Sequence, residues 1–227
     1  SLGIPEAYGG MEIAQDATSQ ALALEALAYG DLSLAMSLSL PMLTAKIITE
    51  HGSEEQKKQL LKQYSDGSMF HVGLGINNSS IMGNASDSSV SVDESGEELI
   101  LNGTKTGIAF AEEATSFLIS ATSESGESNL YVLDKDTEGL EITSKEFMGL
   151  KGLPFSEVNL SNCKIKTSQK LGGHNYSINF QELLDSSRIG MSAMALGVCQ
   201  AVLDYVVPYT NERVAFDEPI SNRQSVA

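Results

Sequence analysis

Hydrophobic positions recur every three to four residues between residue 11 and about residue 65, as on one face of a helix. Alanine, leucine, glutamate and glutamine, all good helix formers, dominate this stretch. Asp31 is a suitable N-cap for a second helix, and Ser53 with Gln56 forms the capping-box pattern that opens a third. We therefore predict a helical N-terminal segment.

The hydrophobic period changes to two from Met69 to about Ile165. Short alternating runs lie there between clusters of glycine, serine and aspartate, as expected for strands. Residues 98–105 look like a strand, an Asn102-Gly103 turn and a second strand, and the serine-rich stretch 77–89 looks like a long loop. The pattern predicts a central antiparallel β-barrel or sandwich.

Helical periodicity returns at Tyr176 and continues over more residues than an ordinary globular helix contains, which is typical of a bundle. Pro208 is expected to kink this helix or end its first part, and a second helix is expected to begin near Glu218. The predicted fold class is α+β in three parts. They are an N-terminal helical segment (1–68), a central β domain (69–168) and the truncated start of a C-terminal helical bundle (169–227).

Composition narrows the classes of function. The 227 residues include 14 Lys and Arg against 30 Asp and Glu, and the net charge of −16 argues against binding to nucleic acid or to anionic lipid. Between Gln63 and Asp134 the only Lys or Arg is Lys105, so backbone N–H groups and hydroxyls must hold any anionic ligand there.

Cysteine and histidine indicate no metal site. Cys163 and Cys199 lie far apart, and the three histidines are scattered. No apolar run reaches roughly 18 residues without polar breaks, so we expect no membrane span. A reduced, cytoplasmic protein is the expectation.

Six short motifs follow one another along the chain. They are LGIPEAYGG (2–10), GSEEQK (52–57), LNGTK (101–105), MGLKG (148–152), RIG (188–190) and ERVAFDEPI (212–220). Together they resemble the acyl-CoA dehydrogenase family of flavoproteins, whose chains begin earlier and run well past residue 227. The resemblance implies FAD as cofactor, α,β-dehydrogenation of an acyl-CoA thioester, a homodimer or homotetramer, and an electron-transfer flavoprotein as partner.

The resemblance implies an FAD clamp near the end of the chain. Arg213, Phe216 and Gln224 keep the family's spacing at positions that hold the pyrophosphate and adenine region, usually in the neighbouring subunit. A guanidinium suits this role because it meets phosphate oxygens in a fork. Asp217 replaces the family's glycine, and a carboxylate near a pyrophosphate is unfavourable. The alternative is an arginine paired with a neighbouring glutamate and a phenylalanine packed in a bundle.

Three further residues resemble substrate contacts. Asp185 and Arg188 match the pair at the mouth of the acyl-CoA channel, the alternative being an i,i+3 ion pair. Ser86 matches the substrate-contacting serine of the family's "TEPxxGSD" loop, the alternative being an ordinary turn serine. Ser187 stands where some branches carry the catalytic glutamate. No residue therefore matches either position of the base, which we expect beyond Ala227.

The segment Gly107-Ile108-Ala109 stands where the family has "W-I-T/S", so the tryptophan covering the flavin and the hydroxyl near its N5 are missing. The resemblance leaves the backbone N–H groups of Ile108 and Ala109 as flavin contacts. Two alternatives to a dehydrogenase stay open. One is a related flavin oxidase or monooxygenase, and the other is a degenerate, non-catalytic scaffold that binds acyl-CoA or flavin.

Overall fold

A computed structural model describes residues 4–11, 16–65, 70–76, 89–96, 98–173, 176 and 178–226. Three helices come first: α1 (Ala17–Gly30), α2 (Leu32–His51) and α3 (Glu54–Ser65). The Asp31 side chain accepts from the Leu34 N–H at 2.8 Å, which confirms the predicted N-cap. The predicted capping box is confirmed too, because the Ser53 N–H donates to Gln56 Oε1 at 2.9 Å and the Gln56 N–H donates to Ser53 Oγ at 3.3 Å.

A seven-stranded sheet follows. Its strands are β1 (Val72–Gly75), β2 (Val90–Asp93), β3 (Glu98–Ala109), β4 (Ser116–Ser123), β5 (Ser128–Asp134), β6 (Leu140–Lys145) and β7 (Phe155–Lys166). The order is β1-β4-β2-β3-β7-β6, and β5 pairs with β4.

The sheet is mixed, which corrects the prediction of a purely antiparallel barrel or sandwich. β1 and β2 both pair with β4 in parallel, whereas the other pairings are antiparallel. The sheet is sandwich-like rather than a closed barrel. β4 is buried on both faces, which explains why it reads as a continuous apolar run rather than an alternating one.

The Asn102-Gly103 turn was predicted wrongly. β3 runs straight through these residues, and the chain reverses earlier, between Asp93 and Glu98, so that β2 and β3 form the hairpin. Gly103 has φ +135° and lies so close to β2 that an added Cβ would stand 2.8 Å from Val90 Cα. The glycine therefore serves a close strand approach and not a turn.

The β-sheet contributes side chains to two hydrophobic cores, one on each of its faces. Side chains of one face, including Phe117 and Ile119 of β4, fill the interior between the halves of the sheet. Leu118 of β4 points the other way and packs with Ile48 of α2 and Leu61 of α3. The three initial helices are thereby fixed to one face of the β layer.

The chain ends in a long helix, α4 (Phe180–Glu212), and a small hairpin of β8 (Val214–Ala215) and β9 (Glu218–Pro219). α4 continues through Pro208, so this proline does not end the helix as one expectation had it. The helix predicted from Glu218 is absent among the described residues, which form β9 and a 3₁₀ turn at Ile220–Asn222. Positive φ angles of 58° and 64° at the two residues between the strands turn the chain back and prevent a helix there.

α4 packs along α1, and its N-terminal end lies near the end of α2. Leu183 of α4 shares a core with Ile48, and the α1–α2 turn (28–32) lies against residues 198–205. α2 and α4 therefore run antiparallel.

Both α2 and α4 reach a mean hydropathy of at least 1.4 over 18 residues, so by length and composition each is apolar enough to cross a membrane. Core helices of soluble proteins pass the same test. In the α2 window 33% of residues are buried, against 11% in α4.

Candidate functional site

A cleft of ≈ 120 Å³ opens between α2, β1 and the end of β3. Its lining residues carry apolar side chains with one exception, Thr44: Leu40, Pro41, Leu43, Thr44, Phe70, Val72, Leu74, Ile76, Gly107, Ala109 and Phe110. The only side-chain hydroxyl in this lining, that of Thr44, donates to the Leu40 carbonyl of its own helix at 2.9 Å. Polar recognition in the cleft therefore depends on backbone groups.

A β-bulge shapes the end of β3. Lys105 pairs with Val158 and Ile108 with Ser156, so β3 carries one extra residue between these pairs. Gly107 lies in the bulge at φ +70°, and an added Cβ there would meet nothing within 4 Å. The bulge leaves open space at Gly107, where the resembling family carries tryptophan. A tryptophan would be strained at this φ.

The two predicted backbone donors differ in their relation to β7. N–H groups in an antiparallel ladder point alternately towards and away from the partner strand. The Phe110 N–H donates to Pro154 O at 2.9 Å, and Ile108 has the same register two positions earlier. The Ile108 N–H is therefore directed to β7, and its fully buried side chain lies in the sheet interior. The Ala109 N–H is directed away from β7, and Ala109 itself lines the cleft.

Two aromatic rings stand beside this floor. Phe70 and Phe110 are stacked with ring centroids 3.8 Å apart and an interplanar angle of 17°. Phe110 has φ +56°, an uncommon value for a bulky residue. Neither ring was predicted as a site residue, because an isolated phenylalanine beside a strand end carries no periodic signal. The only clue was the position of Phe110 directly after Ala109.

One cation is buried below the floor. The side chain of Lys105 is completely buried, and its Cγ would be 3.5 Å from a Cβ added at Gly75 of β1. Burial lowers the pKa of Lys105 to about 8.

Three of the predicted FAD contacts, Arg213, Phe216 and Gln224, lie in the terminal hairpin and the turn after it. Arg213 caps the end of α4, and its guanidinium bonds to the Tyr209 hydroxyl and lies 5.5 Å from the centre of that ring. Phe216 is 86% exposed, with Arg223 4.9 Å above its ring, and Gln224 is exposed. The structure places this phenylalanine at a solvent-facing hairpin tip and not in a packed core.

The predicted substrate contacts lie on the first turns of α4 or outside the described residues. Arg188 Nη1 is 3.0 Å from Asp185 Oδ1, with both side chains more than half exposed. The i,i+3 ion pair is thus present, and contact with acyl-CoA stays a prediction. The Ser187 hydroxyl donates to the Leu183 carbonyl at 2.9 Å. Ser86 lies outside the described residues.

Architecture and site together define a protein in which helices and a mixed β layer enclose an apolar cleft with a flat backbone floor. Comparison with known proteins names the family. Models of the N-terminal, middle and C-terminal domains of acyl-CoA dehydrogenases match residues 1–68, 78–163 and 178–227. The chain belongs to the acyl-CoA dehydrogenase family, as the motifs indicated.

Individual relatives agree with this assignment. The short/branched chain specific acyl-CoA dehydrogenase of Rattus norvegicus mitochondria is 32% identical over 230 residues, covering 96% of this chain and 51% of that protein. Butyryl-CoA dehydrogenase from Megasphaera elsdenii has a TM-score of 0.81 at 27% identity, covering 99% of this chain and 61% of that one. A glutaryl-CoA dehydrogenase from Mycobacterium smegmatis, solved with FADH2, has a TM-score of 0.82 at 26% identity, with 96% and 56% covered. The chain spans about half the length of the curated relatives it matches.

Proposed function

We propose that the complete protein catalyses FAD-dependent α,β-dehydrogenation of an acyl-CoA thioester. The observation that carries the proposal is the apolar cleft whose floor is the end of β3, Gly107 to Ala109. This strand end occupies the place of the family's flavin-facing motif, and it faces α2, which lies within the match to the N-terminal domain.

The residues of the cleft fit an isoalloxazine ring. A planar ring needs a flat surface, and Gly107 offers open space there. The Ala109 N–H, which is directed away from β7, is suited to a ring acceptor atom, and the apolar side chains of the walls would keep water from the bound ring. When bound, FAD would supply the acceptor for the hydride that leaves the substrate β-carbon.

Arg213, Phe216 and Gln224 are proposed to hold the pyrophosphate and adenine of a neighbouring subunit's FAD. The α1–α2 turn lies against residues 198–205 of α4, and this contact is the common reference point. From Tyr205, α4 continues for eight residues to Arg213. From Leu32, α2 runs eight residues the other way to reach the cleft at Leu40, because α2 and α4 are antiparallel. At about 1.5 Å per residue the two sites are about 25 Å apart along the helices, much farther than a ribityl chain reaches. A homodimer or homotetramer would bring the hairpin to the cleft of another subunit.

Arg188 is proposed to contact the CoA portion of the substrate. Its guanidinium is already oriented by Asp185. Arg188, near the start of α4, and Arg213, at its end, are separated by roughly 35 Å. The two arginines of one subunit therefore serve different phosphates. Ser86 is proposed as a further substrate contact, and Ile108 is proposed to act by holding the floor in place.

A base must remove the substrate α-proton, because a proton next to a thioester is only weakly acidic. The cleft lining described above contains no carboxylate, and Ser187 uses its hydroxyl on its own helix. We propose that the base is a glutamate from the part of the family's sequence that follows residue 227. Hydrogen bonds to the thioester carbonyl would stabilise the developing negative charge.

The proposal is tested by titrating the complete protein with FAD and then with butyryl-CoA under anaerobic conditions. We expect stoichiometric FAD binding and loss of the flavin absorbance at the addition of the thioester. CoA alone is the control and should leave the absorbance unchanged. A protein that binds no FAD would contradict the proposal.

A non-catalytic scaffold is a second candidate, favoured by the missing tryptophan at Gly107, the missing hydroxyl at Ala109 and the carboxylate of Asp217. A scaffold would bind FAD, which dithionite would reduce, but no acyl-CoA would reduce it. A related oxidase or monooxygenase would differ from both, because its reduced flavin would react rapidly with oxygen in a stopped-flow experiment.

We also propose an electron-transfer flavoprotein as the physiological electron acceptor, a cytoplasmic location and the domain limits 1–68, 69–168 and 169–227. The family match supports the first of these. Titration of the reduced protein with an electron-transfer flavoprotein, followed by its absorbance, tests the acceptor.

A further inference from the structure

The stacked pair of Phe70 and Phe110 has no role in the family motifs or in the function proposed above. Both side chains are half-buried and line the cleft, Phe70 ahead of β1 and Phe110 just after β3. With centroids 3.8 Å apart and planes inclined by 17°, the two rings form a nearly parallel stack. Aromatic pairs of this kind contribute beyond their buried area.

Phe110 is held in a conformation that a bulky side chain avoids. Its φ of +56° lies in the left-handed region, where glycine, asparagine and aspartate are preferred. Backbone hydrogen bonds impose this φ. The Phe110 N–H donates to Pro154 O at 2.9 Å, and its carbonyl accepts from Glu113 at 3.2 Å and from Ala114 at 3.1 Å. Asparagine would make the same backbone bonds with less strain, so the aromatic ring is retained against a local cost.

We propose that Phe110, backed by Phe70, is the aromatic wall of the isoalloxazine site and does the work of the tryptophan that Gly107 replaces. The inference rests on the proposed function, because it takes FAD as the occupant of the cleft. Two neighbouring features point to a planar ring as this occupant. The floor at Gly107 is open, and the two stacked phenyl rings line the same cleft.

Three variants of the complete protein separate the effect of the Phe110 ring on FAD binding from the effect of its backbone strain on stability. Phe110→Asn removes the ring and relieves the strain, whereas Phe70→Leu removes the supporting ring and leaves the backbone of Phe110 unchanged. Leu150→Asn is the matched control, because Leu150 also has a positive φ (53°) but does not line the cleft. For each variant we would measure the FAD dissociation constant, the visible circular dichroism of bound flavin and the melting temperature of the apoprotein.

The expected results separate folding from binding. Phe110→Asn should leave the apoprotein melting temperature nearly unchanged, because relief of the backbone strain offsets the lost ring stack, and it should weaken FAD binding about tenfold, with altered visible dichroism. Phe70→Leu should also weaken FAD binding and change the dichroism, without a gain in melting temperature. Leu150→Asn should raise the melting temperature and leave FAD affinity unchanged.

Two results would overturn the inference, and they differ in what they say about the proposed function. If the wild-type protein binds FAD and both phenylalanine variants bind it equally well with the same dichroism, the aromatic wall is refuted and the proposed function stands. If the wild-type protein binds no FAD, both are refuted.

Discussion

Gly197 controls how closely α4 approaches α1. A Cβ added at this residue would collide with the Glu25 carbonyl oxygen and stand 3.0 Å from Tyr29 N. Real Cβ atoms do not approach backbone this closely, so Gly197→Ala must push the two helices apart. Gly190, two turns earlier in α4, offers a control, since its nearest neighbour is the flexible end of Leu24 at 3.2 Å.

Both substitutions gain the same helix-propensity free energy, but only Gly197→Ala has a steric cost. Replacing glycine by alanine inside a helix gains about 1 kcal/mol in either position, because the unfolded chain loses freedom and the helix gains propensity. Overpacking against a backbone costs about 1–3 kcal/mol, and only Gly197→Ala incurs it. We expect Gly190→Ala to be neutral or stabilising, and Gly197→Ala to be about 2 kcal/mol less stable than that control.

Thermal unfolding followed by far-UV circular dichroism measures this difference. In a protein of this size about 2 kcal/mol corresponds to about 4–8 °C in melting temperature. Gly197→Ser should be worse than Gly197→Ala, because the larger side chain meets the same carbonyl. If Gly197→Ala and Gly190→Ala melt at the same temperature, the close contact of α1 with α4 is refuted.

Three further predictions concern charge and hydrogen bonding. Asp217→Gly should relax the second residue of the β8–β9 turn (φ 64°) and bind FAD about threefold to tenfold more tightly in a fluorescence titration, with Glu218→Gln as the control for charge alone. Burial lowers the pKa of Lys105 from 10.5 in the unfolded chain to about 8 in the folded protein. Between these two pH values the unfolded chain binds more protons than the folded protein, so the free energy of unfolding should rise with pH by up to about 3 kcal/mol. Urea denaturation at pH 7.5 and 9.5 would show this rise, and Lys105→Met should abolish it; an equal rise in the variant would contradict the pKa. Ala109→Thr should restore a hydroxyl beside the cleft and shift the flavin potential and affinity in a redox titration, and unchanged values would refute the contact.

Much of the fold could be read from local chemistry. Helix starts were predictable where a side chain caps backbone N–H groups within three residues, as at Asp31 and Ser53. The β-hairpin at Asn102-Gly103 was not, because the same dipeptide serves a tight turn and a close strand contact, and only the partner strand decides between them. The parallel pairings of β4 were hidden for a similar reason, since pairing depends on residues distant along the chain.

The candidate site, like the fold, could be predicted from the sequence only in part. A helix was predicted to begin near Glu218, where the chain instead forms the second strand of the terminal hairpin, because the two consecutive positive φ angles that turn the chain are not apparent from the sequence. The floor of the cleft was predicted as the flavin-facing strand, and its missing tryptophan was apparent from the sequence alone. The bulge at Gly107 that opens the floor, and the ring pair beside it, became visible only in three dimensions.

Backbone strain follows a pattern that links these sites. Five non-glycine residues in the described part of the chain have positive φ: Phe110, Leu150, Asn162, Phe216 and Asp217. Asn162 lies where β7 carries its own irregularity, and asparagine tolerates this conformation. Leu150 lies in a turn in which its carbonyl accepts from the Leu153 N–H at 2.9 Å. Of the remaining three, Phe110 lines the cleft and Phe216 is a proposed FAD contact, with Asp217 next to it, and a left-handed backbone is unfavourable for a residue as bulky as phenylalanine. Because local rules of sequence are broken mainly where function requires it, strain at Phe110 and Phe216 favours a protein that has kept FAD binding over one that has lost it. A chain released from flavin binding would be expected to lose these residues first.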